Sequence, residues 1–358
     1  MRDIALSTDG HSAMLTTFNW DHNLYGIDLD TGETTARSKV GHHFTYAPST
    51  IPGGYAVQGY DLPSAEGYHL YLTDGAGVPQ RRFALFGLPK RATDWATAEW
   101  GYDTGLNNFA VAPNGSWVAS AGDLGLAVWN SADGSERWAH EWWVERRTPH
   151  RLLAQDDDTL ITLSGRTATA LNTADGSTRW TLTLATSGTV GGGLVSADRR
   201  TVLVWTDTEG GRLYVIRDGA VANTIATAFD EVAISADGTF VVAAHERLLT
   251  AFDTAAGLLW TFTGDDFLRR PTVSTDGSLV AVGSELGTLT VLRRDGTVRA
   301  RRDLRALPVP AWLPDGDLLV ATWMGRVTRF DPDLSPRWQR LLEPTETDHS
   351  MVGEIVVE

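Results

Sequence analysis

The stretch 229–264, FDEVAISADGTFVVAAHERLLTAFDTAAGLLWTFTG, recurs along the whole chain and restricts it to architectures that stack one small unit many times. It holds three short apolar runs, at 232–234, 240–244 and 248–252, followed by an alternating stretch at 259–262, and so reads as four strands. Asp237-Gly238 and residues 253–257 read as tight turns, while His245-Glu246-Arg247 reads as a charged connection without a turn residue. A near copy follows at 271–304, where STDG, LVAVGSELGTLTVL and RRDG keep the same order.

Taken from the start, the chain divides into eight such units, at 3–40, 46–87, 107–143, 151–185, 194–227, 229–264, 271–304 and 311–342. The longest insertion, 88–105, separates the second from the third, and a tail, 343–358, follows the eighth. A pitch of about 40 residues suits both helical-pair solenoids and four-stranded propeller blades. No unit spaces its apolar residues at i, i+3, i+4 over a helical length, and Asp-Gly turns punctuate runs rich in Val, Thr, Leu and Trp. The expected fold is therefore all-β: an eight-bladed β-propeller of four-stranded antiparallel blades, forming a single domain over 1–358. The first and eighth units each supply four strands, so the ring need not share a blade between its ends. Residues 351–357 are strand-like and are expected to dock on the first blade.

In four units the fourth strand opens on a tryptophan: Trp138, Trp180, Trp260 and Trp338. In RWTLTLAT, Trp180, Leu182 and Leu184 share one face and threonines the other, the pattern of a half-covered strand, so these indoles are expected to pack between blades. LTAFDTAAGLLW, ATALNTADGSTRW, LAVWNSADGSERW and VTRFDPDLSPRW together resemble the repeat of the PQQ-like propellers, whose unit reads roughly ALDxxTGxxxW. That superfamily includes quinoprotein alcohol dehydrogenases and an outer-membrane assembly lipoprotein scaffold. The run 274–283 is also similar to the SxDGxxVAxG of WD repeats, although the Gly-His and Trp-Asp marks of that family are absent. The resemblance covers the whole chain and implies a fold; it carries no function by itself. The family's enzymes need a calcium-held quinone and, in the best-known group, a vicinal cysteine disulfide. This chain has no cysteine and offers no match to the calcium ligands, which implies a non-enzymatic branch with no PQQ and no other cofactor.

The formal net charge of -15 argues against nucleic acid and anionic lipid as partners. Only Lys39 and Lys90 are lysines, so arginine supplies nearly all the positive charge, and aspartate outnumbers glutamate. This composition resembles that of halophilic archaeal proteins; a high-GC codon bias gives the same exchange of lysine for arginine. The absence of cysteine excludes disulfides, thiolate metal sites and thiol nucleophiles. No apolar run approaches the length of a membrane span or an h-region, and a cytoplasmic location without a membrane partner is the expectation.

Asp156-Asp157-Asp158 falls where other units place their first turn and reads as a solvated turn rather than a calcium site. The histidines form no zinc-binding helix motif, and no nucleophile elbow, P-loop or dinucleotide fingerprint is present. Gly191-Gly192-Gly193 is expected between blades, allowing close backbone approach. A contrast between the two ends of the ring is more informative. First-to-second and third-to-fourth turns are uniform, with STDG, SADG, ADG and RDG, and need only φ-permissive residues. Second-to-third loops and blade crossings carry WDH, GHHFTY, DWATAEWGYDTG, WWVERRTPH, DDFLRR and TWMGR. The candidate binding residues are accordingly Trp20, His22, His42, His43, Trp95, Trp100, Tyr102, Trp143, Arg146, Arg147, His150, Arg269, Arg270, Trp323 and Arg326, with no metal site and no catalytic group assigned. A second basic feature, Arg293, Arg294, Arg299, Arg301, Arg302 and Arg305, reads as protection of an outermost strand, or as a patch for an acidic partner. The function expected is a binding or scaffolding propeller that engages a protein or extended ligand through its irregular loop face. The alternative is a lyase or hydrolase of anionic saccharides, using His42, His43, His150 and arginines at the channel mouth.

Overall fold

The computed structural model describes residues 3–16, 23–40, 44–61, 67–84, 109–122, 125–141, 151–184, 189–206 and 211–342. These form 32 strands in eight sheets, each of four antiparallel strands that are consecutive in sequence. The blades lie at 3–39, 44–84, 109–141, 151–183, 190–226, 231–263, 268–303 and 308–341, and no helix occurs among the described residues. First strands of successive blades touch one another and ring the axis, while fourth strands lie outermost. The protein is an eight-bladed β-propeller.

Blade six shows how the pattern makes the unit. Its second strand, Phe240–His245, is buried almost throughout because neighbouring blades cover both faces. The outermost strand, Gly257–Thr263, leaves Thr261 and Thr263 in solvent and turns Trp260 and Phe262 inward. All eight blades carry a register shift between third and fourth strands at the same place, between Ala251 and Phe252 in this blade. Such a bulge bends the outer strand and sharpens its twist, which re-aims the residue beside it.

That residue is the tryptophan. Nε1 of Trp138 donates to the Thr173 carbonyl at 3.0 Å, Trp260 to Arg294 at 2.7 Å, and Trp338 to Leu29 at 2.9 Å, each in the next blade. The indole lies flat over the glycine of that blade's third turn: a Cβ on Gly176, Gly219, Gly296 or Gly32 would meet tryptophan ring atoms at 3.0 Å or less. All four glycines also hold a positive φ. The last of these contacts closes the ring. Blades eight and one share one apolar cluster, and Arg340 adds a bond to the Thr31 carbonyl at 2.8 Å. Among the described residues closure is therefore blade against blade, with no sheet shared between blades eight and one; residues 351–357, expected to dock on the first blade, lie outside the described residues.

Three local expectations are corrected. The 245–247 connection is a two-residue turn in which Glu246 takes the left-handed conformation, φ 49°, so a turn forms without Gly or Asn. Gly191-Gly192-Gly193 lies inside the first strand of blade five, Val190–Val195, not between blades; a Cβ on Gly192 would meet Trp205 and the Arg151 guanidinium. Arg305 lies beyond the outermost strand of blade seven, which ends at Asp303.

Candidate protein-interaction face

The two ends of the ring are built differently. At one end the repeated turn is self-contained: Ser235 Oγ donates to Asp237 Oδ1 at 2.6 Å, the Thr239 amide donates to the same oxygen at 3.0 Å, and the Phe240 amide donates to Ser235 Oγ at 3.0 Å. Ser274, Asp276, Ser278 and Leu279 repeat the arrangement. Hydrogen bonds to the ionised form hold these carboxyls below their ordinary range. For Asp276 the Ser274 hydroxyl is the main cause; for Asp237 partial burial opposes the shift and the Ser235 and Thr239 bonds outweigh it. The polar groups of such turns satisfy one another.

The other end carries the second-to-third turns and the blade crossings, and there the described residues leave large apolar side chains in solvent. Leu286 is 75 % exposed at the tip of the blade-seven turn, and Trp323 and Met324 are each 66 % exposed at that of blade eight. Phe267 is also exposed, in the crossing that enters blade seven. The backbone beneath is fixed: the Gly325 amide donates to Thr322, the Leu342 amide to Gly325, the Gly287 amide to Ser284, and the Glu285 amide to Phe267. Hydrogen-bonded turns thus hold apolar tips in water, which costs solvation.

Charges beside these tips are already engaged. Arg269 donates to Glu285 at 2.8 Å and to Asp230 at 3.1 Å, so one guanidinium ties blades six and seven together. Partial burial would raise the Asp230 carboxyl, but the Glu246 amide, His245 and Arg269 prevail and hold it low. Arg270 has φ 54°, and its amide donates to Glu231 at 2.5 Å. Both arginines belong to the first strand of blade seven, Leu268–Val273, so DDFLRR is only half a loop. Arg326 is exposed at the start of the strand that follows Trp323 and Met324.

Of the residues singled out from sequence, Arg269, Arg270, Trp323 and Arg326 thus lie at this end. Trp20, His22, His42, His43, Trp95, Trp100, Tyr102, Trp143, Arg146, Arg147 and His150 lie outside the described residues. Phe267, Leu286 and Met324 were not singled out. The signal was present in SELG, an apolar residue inside a turn where the corresponding turns have Ser-Gly-Arg and His-Glu-Arg.

The second basic feature is a set of braces between and within blades. Arg294 lies 4.6 Å from the Phe240 ring centre and donates to the Gly277 carbonyl; Arg299 donates twice to Asp333; Arg302 donates to the Leu334 carbonyl and covers Phe330. A free patch for an acidic partner is not what these three form. Asp156-Asp157-Asp158 is a turn whose Asp157 carboxylate accepts the Asn114 amide of the preceding blade at 2.9 Å. No group of three or more His, Asp or Glu side chains that could hold a metal occurs among the described residues.

No known family profile and no curated protein matches this sequence. Solved structures do match in fold. BamB from Moraxella catarrhalis is 14 % identical with a TM-score of 0.62, over 91 % of this chain and 95 % of that one. The dihydro-heme d1 dehydrogenase NirN, in complex with DHE, is 15 % identical with a TM-score of 0.68, over 93 % of this chain and 73 % of that one. A eukaryotic initiation factor is 12 % identical with a TM-score of 0.61, over 95 % and 87 %. Identities this low speak to fold alone, and they agree with the blades described above: the chain is a β-propeller repeat protein.

Proposed function

We propose that this propeller is a binding or scaffolding module, of the non-enzymatic kind among PQQ-like repeats, and that it engages a protein partner through the loop end of blades six to eight. The observation that carries the reading is the row of solvent-exposed apolar tips, Leu286, Trp323 and Met324, on turns that the backbone holds rigid. Tryptophan and methionine are enriched at protein interfaces, and exposed tryptophans are frequent hot spots. Rigid presentation lowers the ordering cost of association. The fold neighbours include a dehydrogenase and an initiation factor, so fold alone favours neither reading. No cofactor is invoked.

The test compares two triple variants by quantitative affinity capture and mass spectrometry. Leu286→Ser, Trp323→Ser and Met324→Ser together should keep the melting temperature within a degree or two, because all three side chains are exposed. Partners retained by the wild type should be lost. Asp133→Ala, Asp175→Ala and Asp295→Ala, at the opposite end and away from the turn 253–257, should retain them. Loss from the second variant only would place the partner at the other end of the ring.

A further inference from the structure

The repeated slot that receives each tryptophan is filled at seven blade junctions and open at one. Trp138, Trp180, Trp260 and Trp338 cover Gly176, Gly219, Gly296 and Gly32. At the junction of blades two and three Arg81 takes the position; its guanidinium lies against Gly134 and donates to the Ala132 carbonyl at 2.6 Å. At the junction of blades one and two the position holds Ala36, and Met14 and Ser38 close in on Gly77. At the junction of blades seven and eight the sizes are exchanged: Ala300 stands for the tryptophan, and Leu334, with φ 61°, stands for the glycine and is buried.

Blade five has Asn223 at this position, paired with Val215 beside the bulge as Trp260 is paired with Ala251. Its Nδ2 donates to the Thr254 carbonyl at 2.9 Å, the same hydrogen bond that the indoles make to Thr173, Arg294 and Leu29. The polar end of the tryptophan is thus reproduced and its ring is not. Gly257, with φ 95°, has nothing within 4 Å of where a Cβ would stand. What remains is an open cleft of about 340 Å³ lined by Asn223, Ile225, Phe252, Ala256, Gly257 and Leu258.

The rim has changed in keeping with the cleft. The two residues preceding the tryptophan are Glu136-Arg137, Thr178-Arg179 and Pro336-Arg337 in the other tryptophan blades, and Leu258-Leu259 in blade six. Leu258 is 63 % exposed, Leu259 and Val221 are exposed too, and Leu258 forms one wall of the cleft. Apolar rim residues in water beside an unfilled aromatic slot are a cost to the isolated chain.

We propose that the cleft between blades five and six is a docking slot for a tryptophan side chain presented by a partner protein, flanked by an apolar residue that rests on Leu258. The occupant follows from the molecule itself, which seats an indole on a turn glycine four times in this geometry. Thr254 accepts from Asn223 and, as a carbonyl, has a second lone pair for the incoming indole N–H. This surface lies at the outer rim, on the self-contained turn end, and does not depend on the loop face assigned above.

The probe is the peptide acetyl-Ser-Leu-Trp-Ser-amide carrying 5-fluorotryptophan, followed by fluorine NMR on the full chain. Saturable broadening is expected, with a dissociation constant on the order of 1 mM, as befits one anchor without an extended interface. Asn223→Trp, which fills the slot from the strand as in four other blades, should abolish it and raise the melting temperature. Gly257→Leu, which fills it from the turn as Leu334 does, should abolish it independently. Leu258→Asp should weaken it several-fold. Unchanged binding to both filled variants, or no saturation by the wild type, would overturn the assignment. Free 5-fluoroindole binding as tightly as the peptide would make this a small-molecule site, and self-association lost in Asn223→Trp would make the occupant another copy of this chain; either result would overturn the protein partner.

Discussion

A single indole at a blade junction performs three tasks, and their removal can be measured. Trp260 covers Gly296, donates to the Arg294 carbonyl at 2.7 Å, and packs at 6.3 Å between ring centres on Phe240. Trp260→Ala would leave a cavity where no other side chain can follow, since the turn glycine has none to offer, and would strip that carbonyl of its partner. The expected loss is on the order of 3 kcal/mol, read from denaturant unfolding. An unchanged midpoint would mean that the junction does not depend on its indole. These tryptophans were readable in the sequence because the type recurs at one place in the repeat. Asn223 and Ala300 occupy the same place and could not be found that way, because equivalence is set by pairing beside the bulge rather than by residue type. The arginines at 293–305 mislead for a related reason: a list of charges does not say that Asp333, the Leu334 carbonyl and the Phe240 and Phe330 faces come from other strands and blades to meet Arg299, Arg302 and Arg294.

Turns decide how the strands respond to acid. Asp9, Asp237, Asp276 and Asp295 all have carboxyls held below the ordinary value by hydroxyl and amide donors two residues away, with partial burial opposing this at Asp237. A carboxyl depressed in the folded state contributes stability that is fully present above its unfolded pKa and is lost as pH falls through the folded one. The unfolded value is about 4, so the melting temperature should be level between about pH 7 and 5 and fall below about pH 4. Asp237→Asn, Asp276→Asn and Asp295→Asn together should start from a lower plateau and fall less steeply; equal acid slopes would assign the loss to other groups. The Asp-Gly signature made these turns readable. The Glu246 turn was not, because strand pairing holds a charged residue at positive φ when the hairpin leaves only two residues for the reversal. Gly191-Gly192-Gly193 reads from sequence as a joint between blades, whereas pairing with the next strand carries the blade back to Val190. Glycine has no side chain to show strand alternation, so only the partner strand reveals it.

For the ring as a whole, charge sets two tendencies against each other as salt is added. Arg329 reaches from blade eight to blade one, donating to the Leu29 carbonyl at 2.8 Å and pairing with Asp30 at 3.5 Å; within blade eight it donates to Asp317 at 2.8 Å and pairs with Asp315, and Arg337 reaches Asp317 at 2.5 Å. Salt weakens such pairs, but exposed ones contribute only about 0 to 1 kcal/mol each, and Asp317 is buried, where screening reaches least. A formal net charge of -15 spread over the molecule has no such shelter. Its self-repulsion acts across the surface and falls as the Debye length contracts from about 10 Å at 0.1 M to about 3 Å at 1 M. Repulsion is the larger salt-sensitive quantity, so the melting temperature is expected to rise between 0.1 M and 2 M KCl. Chloride and sulfate salts compared at equal ionic strength separate screening from surface exclusion, since only exclusion should favour sulfate. Equal melting temperatures at low and high KCl would attribute the scarcity of lysine to codon usage. A fall would mean that the ring depends on its ion pairs more than its charge opposes it, and Arg329→Met, which removes the pairs to Asp30, Asp315 and Asp317, would then reduce the salt response.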